Sequence, residues 1–104
     1  MSDIYRQGDV LLIKVDEIPA DAKPVKRDAG RIVLAYGEVT GHAHAIKTPK
    51  VKMLTTIIGE RFLSSATGFN LNHEEHATAH LSAGIFQVIR QIEYSPEEIR
   101  TIAD

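Results

Sequence analysis

The sequence predicts a mainly β protein, a small antiparallel β-barrel or β-sandwich with a short C-terminal helix. Three observations predict it: short runs of apolar and β-branched residues, Gly and Pro signals between them, and a clean two-residue alternation in the last run. At 104 residues and 11.5 kDa, residues 1–104 are expected to form a single β domain around one modest core.

The first expected strand covers residues 8–15, because Val10-Leu11-Leu12-Ile13 is a continuous apolar run of strand length. It runs out at Asp16-Glu17-Ile18-Pro19. Residues 20–30 carry two acids, three bases and Pro24 without an apolar period, which predicts a surface loop. Arg31-Ile32-Val33-Leu34-Ala35-Tyr36 resumes the strand pattern, and Gly37 and Gly41 bracket a tight connection or bulge leading to His42. Residues 51–58 are β-branched at five of eight positions and predict a strand that turns at Gly59-Glu60. Residues 61–66 return, and Thr67-Gly68 turns again.

Residues 85–94 form the clearest strand: Phe86, Val88, Ile92 and Tyr94 share a face with Arg90, while Ile85, Gln87, Ile89, Gln91 and Glu93 take the other. Ser95-Pro96-Glu97-Glu98 then reads as a helix start. Ser95 caps, Pro96 suits the first helical position and Glu98 completes a capping box, so a helix of about two turns is expected to residue 103.

Composition excludes several function classes. Hydrophobic residues at 43% and charged residues at 25% suit a folded globular chain and argue against disorder. The net charge of -2 gives no long-range pull on phosphate backbones. Lys23, Lys26 and Arg27, and Lys47, Lys50 and Lys52 around Pro49, lack stacking aromatics and read as solvated charge, so no nucleic-acid partner is expected. No stretch approaches the roughly 20 apolar residues of a membrane span, and the start has no apolar leader core. A cytoplasmic protein with no membrane partner is the expectation. Without cysteine, disulfides and thiolate chemistry are excluded, and metal ligands are confined to His, Asp and Glu.

Five histidines fall in two clusters, Gly41-His42-Ala43-His44 and Asn72-His73-Glu74-Glu75-His76-Ala77-Thr78-Ala79-His80. In an extended segment Thr40, His42, His44 and Ile46 point to one side. The backbones of His42 and His44 are then about 6.6 Å apart, which lets two imidazoles converge on one ion with nitrogens roughly 2.0–2.1 Å from it. His-x-His is thus a half-site, or else two strand histidines facing water. In the second cluster His73, His76 and His80 fit one face of a helix. Thr78, the Ser82-Ala83-Gly84 turn and the strong following strand favour instead a loop at residues 73–75 running into a strand at 76–81. That reading joins His73 and His76 and leaves His80 about 13 Å along the chain from His76, as an exposed strand or turn residue.

Most of the chain resembles a family of short, uncharacterised bacterial and bacteriophage proteins. The markers are Arg6-Gln7-Gly8-Asp9-Val10-Leu11-Leu12, Gly37-Glu38-Val39-Thr40-Gly41-His42-Ala43-His44, His73-Glu74-Glu75-His76, Gly84-Ile85-Phe86-Gln87-Val88, and Gln91-Ile92-Glu93-Tyr94-Ser95-Pro96-Glu97. The resemblance supports His42, His44, His73 and His76 as a set and names no substrate. The Gly-His-x-His pattern is also similar to the first motif of cupins. Here Lys47-Thr48-Pro49-Lys50 stands where a cupin has its glutamate. His-x-His with a third histidine from a neighbouring segment looks like the zinc site of α-type carbonic anhydrases, an analogy of site only.

The expected cofactor is therefore a divalent metal ion held by His42, His44, His73 and His76, zinc first, with iron, nickel, manganese or copper open to the same imidazoles. Three ligands and an open position would activate water for hydration or hydrolysis of a small-molecule electrophile, with Glu75, less readily Glu74 or Glu38, as acid/base. Four ligands would close the site into a structural one. The alternative is a non-catalytic binding or assembly module, phage-associated by resemblance, with a structural metal or pH-sensitive histidines. Exposed strand edges would support a homodimer in either case.

Overall fold

A computed structural model describes residues 4–36, 42–74 and 76–90 of the chain. The chain turns at once: β1 (Ile4–Gln7) pairs antiparallel with β2 (Val10–Val15) across the two-residue loop Gly8-Asp9. Gly8 has φ +58°, the positive value that a type II′ hairpin turn needs at its first central position. After the loop and the two-residue β3 (Lys23–Pro24) come β4 (Ile32–Tyr36), β5 (Ala43–Ile46), β6 (Val51–Thr55), β7 (Arg61–Ser65), β8 (Phe69–Leu71), β9 (Ala79–Leu81) and β10 (Gly84–Arg90). Ten strands and no helix are present among the described residues. No helix there is long and apolar enough to cross a membrane.

Six of the strands form one antiparallel sheet in the order β1-β2-β10-β7-β6-β3. Its register sorts the side chains. Val88 lies opposite Leu12 and Arg61, Phe86 opposite Lys14 and Leu63, and Met53 opposite Leu63, so Leu12, Leu63, Met53, Phe86 and Val88 share one face. The ribbons β4-β5 and β8-β9 contribute Ile32, Leu34, Ile46, Phe69, Leu71 and Leu81 to the same buried cluster. Phe69 meets Phe86 edge to face with ring centroids 5.7 Å apart. Phe86, Leu12, Leu63 and Ile46 are completely buried, each contributing about 1.5–3 kcal/mol by leaving water.

One expectation about architecture is corrected. The strands do not close into a barrel, nor do they divide into the expected sandwich: one open six-stranded sheet carries two separate two-stranded ribbons. Its edge strands are only four and two residues long, and among the described residues neither finds a partner that would close the ring. The expected C-terminal helix falls elsewhere. Residues 91–104, with the expected capping box, lie outside the described residues, and the described chain contains no helix to accompany the sheet.

Local boundaries also shift. The strand expected over 51–58 stops at Thr55, where Thr56 accepts a hydrogen bond from Gly59 and leaves Ile57 and Ile58 exposed at the turn. The strand expected over 76–81 begins only at Ala79.

Candidate metal centre

β5 carries the first histidine into the core. All four of its residues are buried, with Ala43 and Ala45 on one face of the strand and His44 and Ile46 on the other. On one edge β5 pairs with β4, where the register slips between Val33 and Ala35 and leaves Leu34 as the extra residue of a bulge. Arg61 donates from Nη1 to the Leu34 carbonyl at 2.6 Å. On its other edge Ala45 exchanges two backbone hydrogen bonds with Asn72, at 2.9 and 2.8 Å.

That antiparallel bridge decides which histidines meet. One step back from Ala45 and one on from Asn72 brings His44 opposite His73. A further step brings Glu74 opposite Ala43, and the Ala43 N–H donates to Glu74 Oε1 at 2.8 Å. The exposed Glu74 carboxylate thus ties the histidine loop to β5, and this hydrogen bond holds its carboxyl below the usual carboxylate range.

His44, His73 and His76 each present a ring nitrogen such that the three atoms lie within 4.8 Å of one another. The His44 and His73 ring centroids are 4.3 Å apart, those of His73 and His76 4.6 Å, and those of His44 and His76 5.6 Å with the rings stacked. Burial is graded: His44 is buried, His73 intermediate and His76 exposed, so the cluster opens to solvent on the His76 side.

The β1-β2 hairpin forms the floor. Gln7, at the end of β1, is buried at 3% exposure and opposite Val10 on the core face of the sheet. Its Oε1 shares a 2.8 Å hydrogen bond with His44 Nδ1, and its Nε2 donates to the carbonyls of Leu71 at 2.7 Å and Ala77 at 3.0 Å. Asp9 Oδ1 stands 3.4 Å from His44 Nε2, while Arg90 Nε donates to Asp9 Oδ2 at 2.8 Å.

Electrostatics favour a neutral His44 beside a charged Asp9. Burial pushes the His44 imidazole below its ordinary value, His73, His76 and Arg90 add to the fall, and Asp9 opposes it. The hydrogen bond from Arg90 holds the Asp9 carboxyl below the usual range, against the smaller effect of burial. A neutral imidazole is the form that binds a metal ion.

The expected residues are thus not equivalent. His44, His73 and His76 come together; His42 stands beside them, its ring centroid 6.0 Å from that of His73, outside the group of close donor atoms. His80 lies on β9, where its Nδ1 is 2.7 Å from Oδ1 of its cross-strand partner Asn70. Glu75 and Glu38 lie outside the described residues. Sequence reasoning missed Gln7, Gly8 and Asp9. Their signal was present, since Gln7-Gly8-Asp9 reads as a hairpin turn and sits inside the first marker of the resemblance, but nothing local to it names histidines as its neighbours.

Fold and site together define a small β domain with a three-histidine cluster between a hairpin turn and a ribbon. Residues 6–91 match the family described as "Domain of unknown function (DUF8820)", and the chain belongs to that family. No curated protein and no solved structure matches it.

Proposed function

We propose that the chain is a divalent-metal protein in which His44, His73 and His76 bind the ion, and that it hydrates or hydrolyses a small electrophile. The observation that carries this reading is the convergence of three imidazole nitrogens within 4.8 Å. Around a tetrahedral ion with bonds of about 2.0–2.1 Å, donor atoms stand roughly 3.3–3.4 Å apart, so the three rings would draw closer together around a bound ion. An all-imidazole set suits zinc first, with iron, nickel, manganese and copper compatible with the same donors.

His76 is exposed, so an ion held there would be open to water on that side. Zinc lowers the pKa of such a water from 15.7 toward about 7. Asp9 is the acid/base in this reading, in place of the expected Glu75: its free side faces His44 Nε2 at 3.4 Å, and Arg90 keeps it ionised. Bound zinc would supply an acidified water, and Asp9 Oδ1 would accept its proton and pass it to solvent as the water oxygen bonds to the electrophilic carbon and the C=O π pair moves to oxygen. With an ester the alkoxide would then leave and take a proton from solvent.

Metal analysis of tag-free, zinc-reconstituted protein tests the first half, with one equivalent expected and less than about 0.1 equivalent fatal to it. Carbon dioxide hydration and activated-ester hydrolysis test the second. Asp9→Asn is expected to keep zinc and lose about 100-fold in turnover, whereas Glu75→Gln is expected to change it little. The reverse pattern would return the acid/base role to Glu75.

A further inference from the structure

The Gln7 amide has only one orientation compatible with its neighbours. The carbonyls of Leu71 and Ala77, 2.7 and 3.0 Å from Nε2, can accept but not donate. Both must therefore face the NH2 end, and they take both of its protons. The end that meets His44 Nδ1 at 2.8 Å is then the oxygen, which brings lone pairs and no proton. The proton in that bond belongs to Nδ1. A neutral imidazole carries one N–H, so the lone pair available for a metal ion sits on His44 Nε2.

The same side chain clasps a loop. Leu71 lies two residues before His73, and Ala77 follows His76 directly, so the two carbonyls mark the ends of the segment carrying the other two ligands. We infer that Gln7 is the positioning residue of the centre: it fixes the tautomer through which His44 offers Nε2, and it holds the His73–His76 loop at the distance that lets three nitrogens converge. Partners of this kind behind a ligating histidine set ring orientation and ligand basicity, and their loss typically weakens metal binding about 10–100-fold. The tautomer half stands without any ion; the affinity half rests on the metal reading above.

Imidazole nitrogen NMR on the metal-free wild-type protein at about pH 8, above the ordinary histidine range, tests the first half. His44 is expected with its proton on Nδ1, and on addition of zinc Nε2 is the nitrogen expected to shift as the bound atom. A proton on Nε2, or zinc on Nδ1, overturns the inference. Gln7→Leu is expected to lose the tautomer preference and to bind zinc about 10–100-fold more weakly, while Gln7→Glu, which still accepts from Nδ1, restores the tautomer and part of the affinity. Zinc binding by a folded Gln7→Leu protein within about twofold of wild type also overturns it. If Gln7→Leu does not fold, the wild-type spectra decide alone. If wild type binds no zinc while Nδ1 carries the proton, the metal reading fails and the tautomer assignment stands.

Discussion

Gly8 and His76 are packed so closely that no methyl group fits between them: a Cβ on Gly8 would stand 2.8 Å from His76 Nε2 and 3.1 Å from His44 Cε1. The glycine is required twice over, since its φ of +58° is also one that L side chains rarely adopt. Gly8→Ala is expected to cost about 1–2 kcal/mol in stability from the backbone alone. His76 is exposed and can swing aside, so the fold survives while the ligand is displaced. Urea unfolding should then show a modest loss, and zinc titration a fall of at least about tenfold. Unchanged zinc affinity in a folded variant would separate the hairpin turn from the site.

The two histidines of the His-x-His pair should behave differently on substitution. His42→Ala is expected to retain one zinc per chain, because His42 lies outside the close group, whereas alanine at His44, His73 or His76 abolishes stoichiometric binding. Stability separates the clustered histidines further. His44→Ala strands Gln7 Oε1 in the core and is expected to cost about 1–3 kcal/mol without any metal. His76→Ala removes an exposed ring and should stay within about 0.5 kcal/mol. Loss of zinc from His42→Ala with full binding by His76→Ala would reverse the assignment.

These contrasts show what the sequence could and could not carry. The faces of β10 were legible, because alternation is local: Phe86 and Val88 are buried and share their face with Arg90. The edge strand β1 and the three-residue β8 were not, since Ile4-Tyr5-Arg6-Gln7 and Phe69-Asn70-Leu71 are too short to show a period. Barrel closure was misjudged for a similar reason, as pairing at sheet edges depends on strands distant in sequence. The two histidine clusters themselves were legible, and three of their rings do lie close enough to hold a metal ion. Which of their members lie nearest one another was not legible, because the Ala45–Asn72 bridge that sets His73 against His44 is a long-range pairing.

The metal-free protein should lose stability as pH falls through the histidine range. Burial, chiefly, depresses the His44 value from 6.5 in the folded state, so between the two values the unfolded chain binds the proton that the folded one refuses. The contribution is fully present above about pH 6.5 and is lost as pH falls toward the folded value. His73, His76 and Arg90 strengthen the effect and Asp9 weakens it, so Asp9→Asn should steepen the loss. Urea midpoints measured from about pH 8 to 5 check the sign. A midpoint that rises on acidification would mean that Asp9 dominates and that His44 is charged when folded.

Metal should act as a staple between parts of the fold that otherwise touch through few bonds. His44 belongs to β5, while His73 and His76 belong to the loop between β8 and β9, and the described backbone link between them is the Ala45–Asn72 bridge. An ion that binds the folded chain alone adds stability as RT ln(1 + [L]/Kd), about 2.7 kcal/mol at one hundred times Kd. For a domain of this size that corresponds to roughly 10–20 °C in Tm. Thermal unfolding with zinc should therefore rise with zinc concentration and return to the metal-free value on chelation. His76→Ala, which leaves the core intact, should abolish the rise, and His42→Ala should preserve it. A zinc-induced rise of equal size in His76→Ala would place the ion elsewhere on the chain.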